Sequence, residues 1–263
     1  MLFNMFWDIT AFKMPEFAPL FDVKTPASLP PETARPAAES GKPLRLGGLT
    51  PLTTIDFPGR LAAVLYCQGC PWRCTYCHNT ELLDAATPPA LPWPDALAFL
   101  HRRRGLLDGV VFSGGEPTLQ AALADALAAV RALGMQTALH TAGMYPQRLA
   151  ALLPQLDWVG LDIKAPAHRH DAITAAPGSA GRPRQALRAL ADSGIDFECR
   201  TTWHPGLFSA SELLALADEL RASGVTCWAV QECRTPAAPA WTLTPEQIRQ
   251  LGAGFERFTL RRA

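Results

Sequence analysis

The stretch LAAVLYCQGCPWRCTYCHN, residues 61–79, joins a short apolar run to a loop that contains four cysteines. The apolar run has the length of a buried strand and is too short for a helix, so a strand is predicted over Leu61–Tyr66. Five later short segments, most of them apolar, are predicted as strands in the same way. They are Gly109–Phe112, Gln136–His140, Trp158–Ile163, Phe197–Thr202 and Val225–Gln231.

Segments of helical periodicity alternate with these strands. Three of them end at a glycine, Gly134, Gly194 or Gly224, as a helix C-terminus often does. The predicted helices are Pro94–Arg103, Leu119–Leu133, Pro146–Leu153, Arg182–Ser193, Ser211–Ser223 and Pro245–Phe255. The alternation indicates the α/β class, with a parallel sheet and outer helices. Six strand–helix units are too few for an eight-unit barrel, so the sequence predicts an open, partial (β/α)6 barrel.

The composition argues against several broad classes of function. The 263 residues are 48% hydrophobic and carry a formal net charge of zero, whereas nucleic-acid-binding and membrane-surface proteins usually need a cationic face. No apolar run is long enough to predict a transmembrane helix. Four of the seven cysteines crowd into Cys67–Cys77, which is typical of metal or redox chemistry in a reducing compartment. A cytoplasmic protein is therefore expected.

The first 43 residues differ in character from the rest of the chain. Thr25–Ala38 is rich in proline and alanine and has too few apolar residues to order itself. We predict a disordered extension or linker over residues 1–43, with a docking arm for a partner as the alternative. Residues 44–263 are predicted to form the catalytic domain.

The cysteine spacing, Cys67-x2-Cys70-x3-Cys74-x2-Cys77, separates several kinds of thiolate site. A zinc ribbon places a dozen or more residues between its two pairs of cysteines, and a bacterial ferredoxin run has a different order of spacings. A thioredoxin-like pair leaves two cysteines unexplained. The remaining interpretation is a [4Fe–4S] cluster held by Cys70, Cys74 and Cys77, with one iron open for catalysis. Cys67, at the end of the strand, is predicted to be a buried thiol that does not bind iron.

Several motifs carry a resemblance to a known family. The run CPWRCTYCHN at Cys70–Asn79 resembles the cluster loop of radical S-adenosylmethionine enzymes, and closely that of the glycyl-radical-enzyme activases. TIDFPG at Thr54–Gly59 and SGGEP at Ser113–Pro117 are also similar to activase motifs. Together with GLTPL at Gly48–Leu52, these motifs look most like the activating proteins of anaerobic ribonucleoside-triphosphate reductase. The resemblance extends from about Leu46 to the last predicted helix.

The resemblance implies a reaction. In that family S-adenosylmethionine binds the open iron, and its reductive cleavage gives a 5′-deoxyadenosyl radical that takes a hydrogen atom from a glycine of a partner enzyme. The implied partners are a glycyl-radical enzyme, with the anaerobic ribonucleotide reductase as the first candidate, and a reduced flavodoxin or ferredoxin as electron donor. The alternatives are an activase of pyruvate formate-lyase or of another glycyl-radical enzyme, and a small-molecule radical enzyme such as a 7-deazapurine synthase. A structural zinc or electron-transfer module is an alternative from another class.

Polar or Gly-rich segments follow all six predicted strands, where active sites of parallel α/β folds lie. In these segments, Glu116 can accept a hydrogen bond from the ammonium group of S-adenosylmethionine, and the resemblance places Tyr76 against the adenine, where an aromatic ring can stack. Asp162 and Lys164 share one face of their strand. The predicted cofactor contacts are Tyr76, Cys77, His78, Asn79, Gly114, Gly115, Glu116, Thr141, Asp162, Lys164, Arg200 and His204.

The third strand ends in HTAG, residues His140–Gly143. Activases of pyruvate formate-lyase carry Asp-Thr-Asn-Gly at this place. A neutral imidazole is a poor ligand for a hard cation, so a monovalent-cation site that depends on that aspartate is not expected in this chain.

Overall fold

A single eight-stranded sheet organises the fold of residues 43–233 and 243–262, which the computed structural model describes. Each strand pairs with the next one along the chain, in the order β1 to β8. β1 and β2 are antiparallel, and every later pair is parallel. The strands are β1 Leu46–Thr53, β2 Ala62–Cys67, β3 Gly109–Gly114, β4 Gln136–Thr141, β5 Trp158–Asp162, β6 Phe197–Trp203, β7 Cys227–Glu232 and β8 Arg257–Arg261.

Helices connect the parallel strands and pack on the outside of the sheet. They are α1 Trp93–Arg102, α2 Leu123–Ala132, α3 Pro146–Leu152, α4 Ala167–Thr174, α5 Gly181–Ser193, α6 Ala210–Ala222 and α7 Pro245–Gly252. The predicted α/β class, with a parallel sheet and outer helices, is confirmed. The sheet is open at β1 and β8, and no pairing between these two strands occurs in the described residues.

Three elements were not predicted, namely β1, α4 and β8. β1 contains Gly47, Gly48 and Pro51, which weaken any strand pattern. α4 is polar along most of its length, and it buries little beyond His170, Ile173 and Thr174. β8 begins only four residues after α7, which ends at Gly252 and not at the predicted Phe255.

The two faces of the sheet bury different residues. Alternate side chains such as Leu65, Phe112 and Leu139 point outward and form the main core with the helices. The inward-pointing side chains at the N-terminal ends of β2 to β5 form a second, smaller cluster, which we call the floor. Its members are Phe57, Ala62, Val64, Val111, Ala138 and Trp158. Phe57 comes from the TIDFPG segment, which therefore closes the bottom of the half-barrel.

The described residues belong to one compact unit that begins at Pro43. Apart from Pro43, the predicted extension over residues 1–43 lies outside the described residues and stays a prediction. None of the helices in the described ranges has the length and apolarity needed to cross a bilayer.

Candidate active site

We call the C-terminal ends of the strands the rim. A cavity lies at this rim. Every predicted cluster or cofactor residue lines it except Glu116 and His204. The lining residues are Cys70, Trp72, Cys74, Tyr76, Cys77, His78, Asn79, Leu83, Ser113, Gly114, Gly115, His140, Thr141, Ala142, Met144, Asp162, Lys164, Arg200 and Thr202. Residues distant in sequence thus meet in one place because parallel strands end at the same edge.

The loop with the cysteines is held at its start by backbone hydrogen bonds. Gly69 N donates to Leu82 O at 2.7 Å, and Cys70 N donates to Leu83 O at 3.1 Å. Both acceptors belong to the short helical turn that follows the loop. The loop therefore doubles back on itself before its first predicted ligand.

Helix α4 holds the middle of the same loop. Arg73 N donates to Thr174 O at 3.0 Å, and Thr75 N donates to Ile173 O at 2.9 Å. The last carbonyls of a helix have no partner within the helix, so the loop and the helix end satisfy each other. Trp72, 3% exposed, packs edge-on against His170 of α4. The unpredicted helix is thus a support for the cysteine loop.

The three predicted ligands, Cys70, Cys74 and Cys77, are all half-buried in the cavity wall. Burial raises the pKa of Cys70 to about 12 and also raises the pKa of Cys74, which the charge of Lys164 partly lowers. Iron binding at these two thiols must therefore displace a proton from each. Cys67 is fully buried and packs in the main core, and it is not part of the cavity lining.

The three thiols are compatible with a cluster rather than with a single metal ion. Within residues 43–233 and 243–262, no three His, Cys, Asp or Glu side chains are grouped so that they could hold one metal ion. A four-iron cube binds each thiolate at a different iron, so its ligands do not have to converge on one point. Three thiols on one cavity wall fit that requirement.

Gly114 and Gly115 let the end of β3 pack directly on the cysteine loop. Gly114 has a φ of +105°, a conformation that a side chain would strain, and a Cβ on Gly115 would lie 2.5 Å from Gly69 O. Gly115 N donates to Cys67 O at 2.9 Å, and Glu116 N donates to Gly69 O at 2.9 Å. The two glycines thus form one wall of the cavity against the cysteine loop.

Glu116 lies beneath the wall of the cavity. The residue is 0% exposed and absent from the cavity lining. Its Oε1 accepts hydrogen bonds from Thr118 N, Thr118 Oγ1 and Thr141 Oγ1 at 3.1, 2.5 and 2.7 Å, and its Oε2 accepts one from Ala142 N at 2.9 Å. Burial raises its pKa, and these hydrogen bonds act in the opposite direction. Glu116 therefore ties the segment after β3 to the segment after β4.

Asp162 is the centre of a charged group on the opposite wall. Its Oδ1 accepts from Arg200 Nε at 3.0 Å, and its Oδ2 accepts from Lys164 Nζ at 3.4 Å. Burial acts to raise the pKa of Asp162, but the charges of Arg200 and Lys164 outweigh it and the pKa is lowered. One carboxylate faces two cations, so this wall carries a net positive charge and suits an anionic group.

Arg200 owes its position to a glycine. A Cβ on Gly160 would lie 2.7 Å from Arg200 Cζ, so the guanidinium occupies the space that a side chain would need. Arg200 Nη2 also donates to Gly160 O at 3.4 Å. The guanidinium is thus fixed beside Asp162, and only 8% of Arg200 is exposed.

Tyr76 and Lys164 form the contact between the two walls. Tyr76 is buried, and the Lys164 ammonium lies 5.7 Å from the centroid of its ring. Burial acts to lower the pKa of Lys164, but Tyr76, Asp162 and the thiols of Cys74 and Cys70 hold it well above the ordinary value. Lys164 is therefore a fixed positive charge beside the cysteines.

His204 is the second predicted residue outside the cavity lining. It is half-buried, and its Nδ1 accepts a hydrogen bond from Gly206 N at 3.0 Å. Its imidazole thus shapes the turn after β6. The sequence predicts that His204 lies at the end of a strand, but it does not predict the direction of its side chain.

Three polar residues of the cavity were not predicted as contacts, namely Ser113, His140 and Thr202. His140 Nε2 lies 2.9 Å from Asp56 O, and its Nδ1 lies 3.3 Å from Ser113 Oγ. Burial and the charge of Arg200 lower the pKa of His140 to about 4. Its position after the third strand was visible in the sequence, but its contact with the TIDFPG segment was not.

Comparison with known proteins agrees with this geometry. The model of the radical SAM superfamily matches residues 64–225, more than half of the chain. Over 196 residues the chain is 24% identical to the "Putative glycyl-radical enzyme activating enzyme" of Methanocaldococcus jannaschii. This alignment covers 67% of this chain and 75% of that protein. The chain is 36% identical over 125 residues to the pyruvate formate-lyase-activating enzyme of Clostridium pasteurianum, covering 46% of this chain and 52% of that enzyme.

The fold has counterparts among solved structures. The crystal structure of Streptococcus suis SuiB bound to the precursor peptide SuiA superimposes with a TM-score of 0.60 at 15% identity, over 74% of this chain and 48% of SuiB. Another crystal structure of SuiB is bound to S-adenosylmethionine. The chain spans about half the length of SuiB and of the Clostridium enzyme. The family model and the three thiols of the cavity lead to one conclusion: the chain belongs to the radical SAM superfamily and is an enzyme whose cofactors are a [4Fe–4S] cluster and S-adenosylmethionine.

Proposed function

We propose that this enzyme activates a glycyl-radical enzyme by taking a hydrogen atom from one of its backbone glycines, and that the partner is the anaerobic ribonucleoside-triphosphate reductase. The observation that carries the activase proposal is the likeness to two proteins named as activating enzymes. The choice of partner rests on the motifs at Gly48–Leu52 and Cys67–Asn79. It also rests on His140, which stands where activases of pyruvate formate-lyase have an aspartate.

The residues of the cavity have distinct roles in this proposal. When bound, the cluster supplies the electron that cleaves S-adenosylmethionine to the radical that takes the hydrogen atom. Cys70, Cys74 and Cys77 hold three of its irons. Arg200 and Lys164 neutralise the methionine carboxylate, since Asp162 balances only one of these two charges.

Adenine binding is assigned to the end of the cysteine loop. The buried ring of Tyr76 offers a stacking surface, and His78 and Asn79 line the cavity beside it. Thr141 contributes from the opposite side of the cavity, where its hydroxyl is fixed by Glu116. These assignments leave the inner face of β6 to β8 for the substrate.

The inner face of β6 to β8 supports a macromolecular substrate. Strand register places Thr202 beside Gln231, and Gln231 beside Arg261, on the same face as Arg200. Arg261 also pairs with Glu198 at 2.7 Å. A row of polar side chains thus runs from the cavity to β8 at the edge of the sheet and offers hydrogen-bonding groups to a loop of a partner protein.

The test is an anaerobic incubation of the iron-loaded enzyme with S-adenosylmethionine, dithionite and the purified reductase, followed by EPR spectroscopy. We expect the doublet of a glycyl radical. A reductase whose radical glycine is replaced by alanine is the matched control and should give no doublet. Replacement of dithionite by a reduced flavodoxin or ferredoxin tests the proposed electron donor in the same assay.

Other outcomes distinguish the alternatives. A doublet that forms on pyruvate formate-lyase and not on the reductase would leave the activase proposal intact and overturn the choice of partner. Cleavage of S-adenosylmethionine without a doublet on either protein would overturn both. Turnover of a small molecule without a protein partner, in that case, would favour the small-molecule radical enzyme.

A further inference from the structure

The cluster must receive an electron before S-adenosylmethionine is cleaved, so the enzyme needs a place where an electron carrier can approach the cysteines. The cavity itself does not serve this purpose, because S-adenosylmethionine binds there and the proposed substrate surface adjoins it on β6 to β8. Electron transfer slows steeply as the distance between donor and acceptor grows. The carrier therefore needs a docking surface that lies outside the cavity and close to its cysteine wall.

A groove beside the cavity meets this requirement, and we call it the side groove. It lies at the start of α3 and of α5. Its lining includes Met144, Tyr145, Gln147, Gly178, Arg182 and Gln185. Met144 also lines the cavity and is only 2% exposed. The side groove and the cavity are thus adjacent, with the side chain of Met144 between them.

Apolar packing connects the cysteines to the side groove. Met144 belongs to a small buried cluster together with Trp72 of the cysteine loop. Cys70 and Cys74 pack against this cluster, and so does Tyr145 of the side groove. An electron that enters at Tyr145 therefore meets packed side chains, and not open solvent, along its way to two of the iron ligands.

The side groove carries positive charge. Arg182 and Arg148 are exposed, and none of the ion pairs among the described residues involves either of them. Arg148 Cζ lies 4.6 Å from the centroid of the Tyr145 ring, so its charge borders the side groove. The carboxylate of Asp171 is directed at the backbone, where its Oδ2 accepts from Gly178 N at 2.6 Å. The two arginines are therefore available to a partner.

An acidic protein surface is the kind of partner that these charges fit. Opposite charges speed the encounter of two proteins and fix their relative orientation. The side-chain amides of Gln147 and Gln185 add hydrogen-bonding groups to the same lining. The described lining contains no acidic residue that would repel such a partner.

We propose that the side groove is the docking surface of a one-electron carrier protein with an acidic face, of the flavodoxin or ferredoxin kind, and that Arg182 and Arg148 attract that face. The docked carrier loses one electron, the cluster gains it, and no atom is transferred. The proposal rests on the electron donor of the proposed function and not on the glycyl-radical partner. A missing glycyl doublet would therefore leave it standing.

The experiment uses the full chain, loaded with iron, and a purified flavodoxin at low ionic strength under anaerobic conditions. One measurement is the dissociation constant of oxidised flavodoxin. The other is the rate at which reduced flavodoxin reduces the cluster, followed by rapid-freeze EPR spectroscopy. We expect Arg182→Glu to raise the dissociation constant and to lower the rate by about 10-fold each, because it reverses a charge at the interface. Reduction by dithionite should keep the wild-type rate, since this small reductant does not need the docking surface.

Arg188→Glu is the matched control. It makes the same change of charge on the same helix, at an exposed residue outside the lining of the side groove. It should leave the dissociation constant and the rate near their wild-type values. Arg148→Glu should act in the same direction as Arg182→Glu. High salt should remove the difference between Arg182→Glu and the wild type, because ions screen exposed charges.

Three outcomes would overturn the proposal. The first is an equal effect of Arg182→Glu and Arg188→Glu on flavodoxin, or no effect of either. The second is an equal loss with dithionite, which would show that Arg182 acts on the cluster and not on docking. The third is unchanged reduction by flavodoxin together with loss of the glycyl doublet in the dithionite assay, which would assign the side groove to the glycyl-radical enzyme.

Discussion

The floor and the rim of the half-barrel are built from the same strands and have opposite chemistry. On β3, Val111 belongs to the floor and Ser113, two residues later, to the rim. On β4, Ala138 and His140 repeat the same change. A step of two residues keeps a side chain on the same face, so the inner face changes from apolar to polar along β3 and β4. The floor therefore serves stability and the rim serves chemistry, as in closed barrels of this type.

Cys74→Ala is expected to give the largest difference between an effect on chemistry at the rim and an effect on stability at the floor. Loss of one ligand should remove the cluster and lower the cleavage of S-adenosylmethionine by at least about 100-fold, while the floor keeps the sheet folded. Iron content and 5′-deoxyadenosine formation are the measurements. Cys67→Ala is the matched control, because Cys67 is buried in the main core. This variant should keep its iron. Loss of iron in Cys67→Ala would contradict the assignment of three ligands.

The floor is tested by Phe57→Ala. Phe57 is 4% exposed and packs against Trp158, so its truncation leaves a cavity and should lower the free energy of unfolding by about 3–5 kcal/mol. Urea denaturation measures this loss. Leu61→Ala is the control, since Leu61 is 45% exposed and should lose no more than about 0.5 kcal/mol. Equal losses in the two variants would remove the distinction between a packed floor and an exposed loop.

Glu116→Gln addresses a group that was expected at the rim and lies beneath it. The amide NH2 would face either the three donors at Oε1 or the Ala142 N–H, so a buried donor loses its partner at about 1–3 kcal/mol of unfolding free energy. Binding of S-adenosylmethionine and of its analogue without the amino group should fall by the same factor. A selective loss for S-adenosylmethionine would return Glu116 to the ligand-binding surface.

The smallest effect is expected from His204→Ala. His204 lies outside the cavity lining, so the affinity for S-adenosylmethionine should stay within about twofold of the wild type. Arg200→Gln is the comparison at the end of the same strand and should weaken binding clearly, because it removes a cation from the cavity wall. Similar losses of affinity in the two variants would show that residues outside the cavity lining also contribute to binding of S-adenosylmethionine.

Strong periodicity made most of the fold predictable from the sequence. β2, β3 and β5 are mainly apolar runs, and Gly134, Gly194 and Gly224 separate three of the helices from their next strands. β1 and β8 lacked such signals, since glycines and a proline interrupt β1 and β8 is a short strand that follows a helix directly. Their positions depend on pairing with neighbours, which local sequence does not encode.

Prediction of the site was limited by side-chain direction. Cysteine spacing located the cluster loop, because ligand spacing is a local property. The contacts of Glu116 were not foreseen because its four donors come from Thr118, Thr141 and Ala142, and only the fold brings the last two near. His140 was not recognised as a contact residue for a related reason, since its partner Asp56 lies 84 residues away in the chain.

The contact between the cysteine loop and helix α4 has a consequence for the order in which the protein matures. Arg73 and Thr75 donate their amide hydrogens to the last turn of α4, so a loop that gains iron and becomes rigid also fixes that helix end. Amide exchange at these two residues should therefore slow when the cluster is inserted, and Ala175, which has a φ of 51° just after the helix, should become resistant to proteolysis. Iron delivery would then stabilise the end of α4 as well as the cysteine loop.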